Sequence, residues 1–88
     1  MRVDVWLNKV CVLKSRTLAR EACDRGKVLL NGLEARGSRT VRPGDRIRLD
    51  LGVRVLEVEV LAVPEGNIPK KQAASYYHVL VDEWVEEA

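Results

Sequence analysis

The sequence is poor in the residues that build catalytic, metal and disulfide centres. Its 88 residues include two cysteines, Cys11 and Cys23, and a single histidine, His78. Two cysteines cannot form a disulfide-rich scaffold or supply the four ligands of a structural zinc site. The sequence also carries no HExxH, GxSxG, P-loop or GxGxxG motif. It therefore predicts a protein that is not an enzyme and that uses no metal and no cofactor.

Long apolar segments are missing as well. No run of 18 apolar residues occurs, and charged residues are scattered through the first twenty positions. The sequence therefore favours neither a transmembrane helix nor a signal peptide. Hydrophobic residues make up 47% of the chain and charged residues 32%, a balance that is typical of globular proteins rather than disordered ones. We expect one small, soluble, cytoplasmic domain without a membrane partner.

Charge is distributed unevenly along the chain. Residues 1–54 hold 13 Lys and Arg against 6 Asp and Glu, a net charge of +7, whereas residues 55–88 hold 2 against 7, a net charge of −5. The basic part predicts a surface that binds a polyanion. Arginines outnumber lysines by 10 to 5, which favours nucleic acid because the guanidinium fork binds phosphate and stacks on bases. The acidic part leaves open a module that binds a basic protein.

Two helical patterns open the chain. Apolar residues from Val3 to Val10 recur at helical spacing and predict a helix over residues 2–10, with Trp6 in the core. Residues 16–25 predict a second helix, which Ser15 caps and Gly26 ends. The buried face of this second helix is expected to comprise Leu18, Ala19, Ala22 and Cys23.

The pattern then changes from helix to strand. Residues 27–30 and 33–36 are predicted to pair through a two-residue turn at Asn31-Gly32. Alternating apolar residues predict a strand over residues 46–51 and the longest strand over residues 53–63, which Pro64 ends. The fold class is therefore α+β, a single domain in which two short helices pack on a small antiparallel sheet.

The C-terminal part is less regular. Residues 64–72 are predicted to form a loop, and residues 73–84 an ordered element whose pattern fits either strand or helix. Tyr77, Val79 and Val81 alternate in this element. Residues 83–88 are expected to fray.

The chain carries cations in both helices and in the hairpin and loop that follow. These cations form one surface if the hairpin folds beside the second helix. The candidate RNA-binding residues are Arg2, Lys9, Lys14, Arg16, Arg20, Lys27, Arg36 and Arg39, and Arg42 lies just beyond them.

Five separated signals agree in order and spacing with a known family. They are an Arg-x-Asp opening at Arg2, a Ser-Arg-x-x-Ala-Arg segment from Ser15, a Gly-x-Val strand start at Gly26, the Asn31-Gly32 turn, and a Val-x-x-Gly-Asp segment from Val41. Over residues 2–50 the chain resembles the RNA-binding domain named after small-subunit ribosomal protein S four. The resemblance implies the family fold, in which two helices known as the αL motif pack on a small antiparallel sheet.

The resemblance also implies roles for individual residues. Arg2 and Arg16 match the principal RNA-contacting arginines of the family, and Lys14 and Arg20 match flanking cations. Asp4 is expected to orient a neighbouring arginine rather than to contact RNA. Residues 1–64 would then form the RNA-binding domain, and residues 65–88 a loop and tail that dock on it.

A narrower resemblance is to the short stand-alone members of this family. It is carried by Arg2, Asp4, Trp6 and Leu7, by the Lys14-x-Arg16 step, and by the late Ala73-Ala74-x-x-Tyr77 segment. These members are the fifteen-kilodalton heat-shock proteins and the bacterial ribosome-associated quality-control proteins P. The resemblance implies binding to a large ribosomal subunit that carries a stalled peptidyl-tRNA, contacts with its rRNA, and cooperation with the factor that recruits tRNA for C-terminal tailing. Two alternatives are an RNA-targeting module that acts with an rRNA-modifying enzyme and a protein-interaction module that uses the acidic tail.

Overall fold

Two short helices open the chain, and five antiparallel strands with one further helix follow, in a computed structural model that describes residues 1–85. The helices are α1 (Val3–Lys9), α2 (Arg16–Asp24) and α3 (Lys70–Ala73), and the strands are β1 (Val28–Leu30), β2 (Leu33–Glu34), β3 (Arg46–Asp50), β4 (Arg54–Val60) and β5 (Tyr77–Trp84). The predicted α+β class, with two helices packed on an antiparallel sheet, is confirmed. Within residues 1–85 no helix has the length and apolar character needed to cross a membrane.

Local signals determine both ends of α2, as the sequence predicts. The Ser15 hydroxyl accepts a hydrogen bond from the Leu18 N–H at 3.1 Å, which satisfies one of the free amides of the first turn. Gly26 follows the helix with φ +70°. The N–H groups of Gly26 and Lys27 donate to the carbonyls of Cys23 and Ala22, the pattern of a Schellman motif.

Helix α1 ends in the same way, but with a cysteine in the position that usually holds glycine. Cys11 has φ +61°, and the N–H groups of Cys11 and Val12 donate to the carbonyls of Asn8 and Leu7, each at 3.0 Å. A side chain with a Cβ atom is disfavoured in this left-handed conformation. The turn between the two helices therefore carries backbone strain.

Replacing Cys11 with glycine is expected to stabilise the protein. The gain should be about 0.5–1 kcal/mol, because the relief of left-handed strain exceeds the extra freedom of glycine in the unfolded chain. Cys11→Ala is the matched control, since it removes the thiol and keeps Cβ, and it should leave the stability nearly unchanged. Urea unfolding of the two variants measures the difference, and equal midpoints would show that the turn is unstrained.

The strands form one sheet in the order β2-β1-β3-β4-β5, with every neighbouring pair antiparallel. The predicted Asn31-Gly32 turn joins β1 to β2, with φ +52° and +85° at its two residues and Leu30 opposite Leu33. Positive φ at both positions is the geometry that makes Asn-Gly favourable in two-residue hairpins.

The helices cover one face of the sheet, and the core lies between them. Trp6, Ile47 and Leu49 are fully buried there. Leu18 differs from the prediction, because its side chain is 48% exposed although its neighbours Ala19 and Ala22 are buried.

The other face of the sheet is open to solvent. Cross-strand neighbours of opposite charge meet on it, with Arg46 opposite Glu59 and Arg48 opposite Glu57. Such directly opposed charges stabilise an antiparallel pair. The arginines of β3 therefore face carboxylates across the strands.

The C-terminal part departs from the prediction in three places, and the structure also decides one choice that the sequence left open. Lys70–Ala73 form a helix where residues 70–72 were expected to be loop, and β4 ends at Val60 rather than next to Pro64. Residues 77–84 are a strand, which resolves the open choice between strand and helix. Glu83 and Trp84 lie in that strand, so the prediction of fraying is wrong for them, and residues 86–88 lie outside the described part of the chain.

A β-bulge explains why the predicted alternation in β5 fails. Val79 pairs with Val58, but Val81 pairs with Glu57, so one residue of β5 is extra between them. A bulge shifts the following side chains to the opposite face. Tyr77 and Val79 therefore lie on the helix-covered side, whereas Val81 lies on the open side.

The far end of the β4–β5 hairpin is held by one arginine. The Arg54 guanidinium donates to both oxygens of Asp82, at 2.7 and 2.8 Å, and lies 5.0 Å from the centroid of the exposed Trp84 ring. The hydrogen bonds from Arg54 lower the pKa of Asp82 below its ordinary value. This arginine is therefore occupied within the fold.

Candidate nucleic-acid interface

The first residues of the chain are tied to the loop that follows β2. The N–H groups of Val3 and Asp4 donate to the carbonyls of Arg39 and Gly37, at 2.8 and 3.3 Å. Arg2 forms an isolated β-bridge with Thr40. These bonds place Arg2, the residue just before α1, beside the loop that carries Arg36 and Arg39.

Asp4 holds the guanidinium of Arg2 in one orientation. Arg2 Nε donates to Asp4 Oδ1 at 3.1 Å and Arg2 Nη2 donates to Oδ2 at 2.9 Å. The Asp4 side chain is 1% exposed, and its Oδ1 also accepts from the Val5 N–H at 2.7 Å. Two of the five N–H donors of Arg2 are used, which leaves three for a ligand. This contact agrees with the orienting role that the family resemblance implies for Asp4.

Gly37 makes room for that carboxylate. A Cβ atom placed on Gly37 would lie 2.8 Å from Asp4 Oδ2, too close for any side chain. Residue 37 must therefore be glycine for Asp4 to keep its position under Arg2. This requirement depends on a contact between residues distant in sequence, and no local pattern signals it.

Four arginines share one surface, which we call the arginine surface: Arg2, Arg16, Arg20 and Arg36. Arg2, Arg16 and Arg20 line a concavity of about 250 Å³. Arg2 and Arg20 also line a larger concavity of about 580 Å³, to which Arg36 contributes. Arg16 and Arg20 lie one turn apart on α2 and are exposed, as the helical spacing predicts.

Three arginines of this surface form no close ion pair. Among residues 1–85 the ion pairs with N–O distances within 4.0 Å are Arg2–Asp4 and Arg54–Asp82. Arg16, Arg20 and Arg36 therefore have no carboxylate partner at that distance. Exposed, unpaired guanidinium groups on one surface are suited to bind the phosphates of a polyanion.

The remaining predicted cations lie around other concavities. Arg39 and Arg42 line a third one of about 310 Å³, together with Asn31 and Asp45. The backbone of Arg39 lies beside the start of α1, because its carbonyl accepts a hydrogen bond from the Val3 N–H.

The three predicted lysines are separated from one another. Lys9 Nζ donates to Asn67 Oδ1 at 3.0 Å, and Lys14 lines a concavity with Lys70 of α3. Lys27 lies in an apolar groove with Arg25. Lys70 was not among the predicted cations, because residues 64–72 were predicted to form a loop. Pro69 is the available signal, since proline is common at the start of a helix.

The sequence analysis also missed two carboxylates. Asp24, at the end of α2, and Glu34, on β2, line the larger concavity beside Arg2, Arg20 and Arg36. The hairpin register that places Glu34 opposite Leu29 follows from the Asn31-Gly32 turn. The position of Glu34 was therefore accessible from the sequence, but its proximity to the arginines was not.

Cys23 lies at the inner wall of the larger concavity and is 6% exposed. Burial, and secondly the negative charges of Asp4 and Asp24, raise the pKa of its thiol from 9.0 to about 11. The thiol is therefore neutral at physiological pH and acts as a small core side chain. Cys11, in contrast, is exposed.

Stability should fall at high pH because of Cys23. The folded protein holds the thiol proton more tightly than the unfolded chain, so this contribution is complete below about pH 9 and disappears as the pH rises through about 11. Between these values the stability advantage of the wild type over Cys23→Ala should shrink by on the order of 2 kcal/mol. Urea unfolding of both proteins from pH 8 to pH 11.5 measures this difference, and parallel pH profiles would contradict it.

Known proteins share the fold of this chain. The S4 domain family matches residues 1–47, which is more than half of the chain. The chain belongs to the S4 domain family.

Individual relatives extend the similarity to the rest of the chain. This chain is 35% identical to the RQC P-site tRNA stabilizing factor of Bacillus subtilis, over 94% of this chain and 95% of the relative. It is 38% identical to the protein of the same name from Helicobacter pylori, over 86% of this chain and 92% of the relative. The solved structure of Heat Shock Protein 15 from Vibrio cholerae superimposes with a TM-score of 0.82 at 29% identity, covering 90% of this chain and 80% of that one. The resemblance to both stand-alone groups is confirmed.

Proposed function

We propose that the chain is a non-catalytic RNA-binding protein of the cytoplasm that binds the large ribosomal subunit during ribosome-associated quality control. It would contact the rRNA of that subunit and a stalled peptidyl-tRNA. The observation that carries the proposal is the arginine surface. In it Arg2 is oriented by a buried carboxylate, and no carboxylate of residues 1–85 lies within 4.0 Å of the other three guanidinium groups. The names of the relatives in Bacillus subtilis and Helicobacter pylori support it.

The geometry suits folded RNA because it exists before the ligand binds. Arg2 loses little side-chain freedom on binding, since Asp4 already holds it. Double-stranded RNA is recognised mainly through its shape, phosphates and 2′-hydroxyls, and a rigid set of guanidinium forks matches spaced phosphates. The acidic part of the chain, residues 55–88, would be repelled by the same polyanion, which favours one orientation of the protein on RNA.

The parts of the chain would divide this work. We assign RNA binding to residues 1–64 of the predicted RNA-binding domain and propose Arg2, Arg16, Arg20 and Arg36 as its main contacts. Lys9, Lys14, Lys27 and Arg39 would add weaker phosphate contacts at the margins. Residues 65–88 would complete the fold against this domain. The factor that recruits tRNA for C-terminal tailing is the proposed protein partner.

Sedimentation tests the proposal directly. The purified chain is mixed with large subunits that carry a peptidyl-tRNA, with empty large subunits, or with small subunits, and each mixture is centrifuged through a sucrose gradient. We expect the chain to migrate with large subunits, and most strongly with those that carry peptidyl-tRNA. Migration with small subunits, or equal migration with all three particles, would contradict the proposal.

Two additions to this experiment separate the two alternatives: naked rRNA with assembly intermediates as further binding targets, and the Arg16→Glu variant. A module that targets an rRNA-modifying enzyme would bind naked rRNA or assembly intermediates in preference to mature subunits with peptidyl-tRNA. A module that binds basic proteins through the acidic tail would keep its ribosome binding when Arg16 is replaced by Glu.

A further inference from the structure

The larger concavity combines charges of both signs. Three arginines line it, and Asp24 and Glu34 line it as well. Within the described chain neither carboxylate lies within 4.0 Å of a cationic nitrogen or accepts a hydrogen bond from another side chain. A site for phosphate alone is weakened by carboxylates, which repel the ligand. These two groups therefore indicate a ligand that also offers hydrogen-bond donors.

The position of Glu34 is set by the backbone beneath it. Gly26 has φ +70°, and a Cβ atom on it would lie 3.0 Å from Glu34 Oε1 and 3.4 Å from Oε2. The carboxylate therefore lies over the glycine that ends α2. Asp24 stands two residues before this glycine, as the last residue of the helix. The end of α2 and the β1–β2 hairpin thus bring both carboxylates to one wall.

The size of the concavity fits a small polar ligand. Its volume is about 580 Å³, within the range of roughly 300–1,000 Å³ that ligand clefts occupy. RNA offers such a ligand when a base leaves the helical stack, because its Watson–Crick edge is then free for hydrogen bonds to side chains. The phosphate of the same nucleotide suits the arginines, and the base N–H groups suit the carboxylates.

We propose that this concavity binds one unstacked nucleotide of the RNA ligand and that Glu34, assisted by Asp24, selects guanine. The inference rests on the proposed function. Guanine presents two adjacent N–H donors, at N1 and the 2-amino group, which match the two oxygens of one carboxylate. Adenine and cytosine present a single amino group, and uracil presents a single ring N–H. The expected order of affinity is therefore guanine first, then cytosine and adenine, and uracil last.

The experiment uses RNA hairpins that differ in one bulged nucleotide. Their affinities for the intact chain are measured by fluorescence anisotropy with G, A, C, U or inosine at the bulge. The guanosine hairpin should bind about 5- to 20-fold more tightly than the uridine hairpin. Inosine keeps N1–H and lacks the 2-amino group, so its hairpin should fall between them.

Two variants test the assigned residues. Glu34→Gln should reduce the preference for guanosine over uridine to less than twofold, while strengthening binding of the uridine hairpin because a negative charge is lost. Asp24→Asn should reduce the preference in part. Glu21→Gln is the matched control, because Glu21 is an exposed carboxylate of the same helix that lies outside this concavity, and it should retain the preference.

The outcomes distinguish failure of the base selection from failure of the proposed function. Equal binding of all five hairpins, or a guanosine preference that survives Glu34→Gln, overturns base selection and leaves RNA binding intact. If the wild type binds neither the hairpins nor the ribosomal particles described above, both the base selection and the proposed function are overturned.

Discussion

Replacing Arg16 with Glu should weaken binding to large ribosomal subunits roughly 30- to 300-fold. Arg16 is exposed on the first turn of α2 and has no ion-pair partner within 4.0 Å in the described chain. The substitution removes charge-assisted hydrogen bonds to phosphate. It also adds a negative charge, which repels phosphate, beside Arg2 and Arg20. Equilibrium binding to purified subunits at fixed salt measures the loss.

The control for this prediction lies directly after the last residue of the same helix. Arg25 is exposed, half a turn away in helical phase from Arg16, and lines the apolar groove with Lys27 instead of the arginine surface. Arg25→Glu makes the same change in net charge and should alter the affinity less than threefold. Thermal unfolding should show that Arg16→Glu remains folded, since the side chain contributes nothing to the core. Equal losses for the two variants would mean that net charge, rather than this surface, governs binding.

The largest effect on stability is expected for Trp6→Ala. Trp6 is fully buried, its Nε1 donates to the Ala62 carbonyl at 3.1 Å, and its ring meets Tyr77 edge to face at 6.2 Å between centroids. Removing the indole ring leaves a cavity and an unpaired carbonyl. The free energy of unfolding should fall by about 3–5 kcal/mol. A domain of this size has about 5–15 kcal/mol of stability in total, so the melting temperature should fall by at least about 12 °C.

Trp84→Ala makes the same substitution at an exposed site. Trp84 is 68% exposed and contacts Arg54 through its ring face. Its loss should cost less than about 1 kcal/mol. Differential scanning calorimetry of the two variants measures the contrast, and similar melting temperatures would show that the core is not organised around Trp6.

Features set by a few neighbouring residues could be predicted from the sequence. The Ser15 cap, the glycine at the end of α2 and the Asn31-Gly32 turn all have the predicted geometry. Each depends on backbone conformations that particular residue types favour. The one-turn spacing of Arg16 and Arg20 likewise follows from helix geometry alone.

Features that depend on distant contacts could not be predicted in this way. The bulge in β5, which places Val81 on the open face, depends on how β5 aligns with β4. Two further features require the tertiary fold: the space that Gly37 leaves for Asp4, and the position of Glu34 in the same concavity as the arginines. Local patterns also gave no reason to expect Cys11 in a left-handed conformation.

The salt dependence of binding tests the central claim most directly, because each phosphate contact releases counterions. Affinity for large subunits carrying peptidyl-tRNA is measured across a series of KCl concentrations. About five phosphate contacts predict a slope of log affinity against log salt of roughly −3.5 to −4.5 for the wild type. Arg16→Ala and Arg20→Ala should each make the slope shallower by about 0.7–0.9, whereas Arg25→Ala should leave it unchanged. A slope near zero, or the same change for Arg25→Ala as for the other two, would contradict the account.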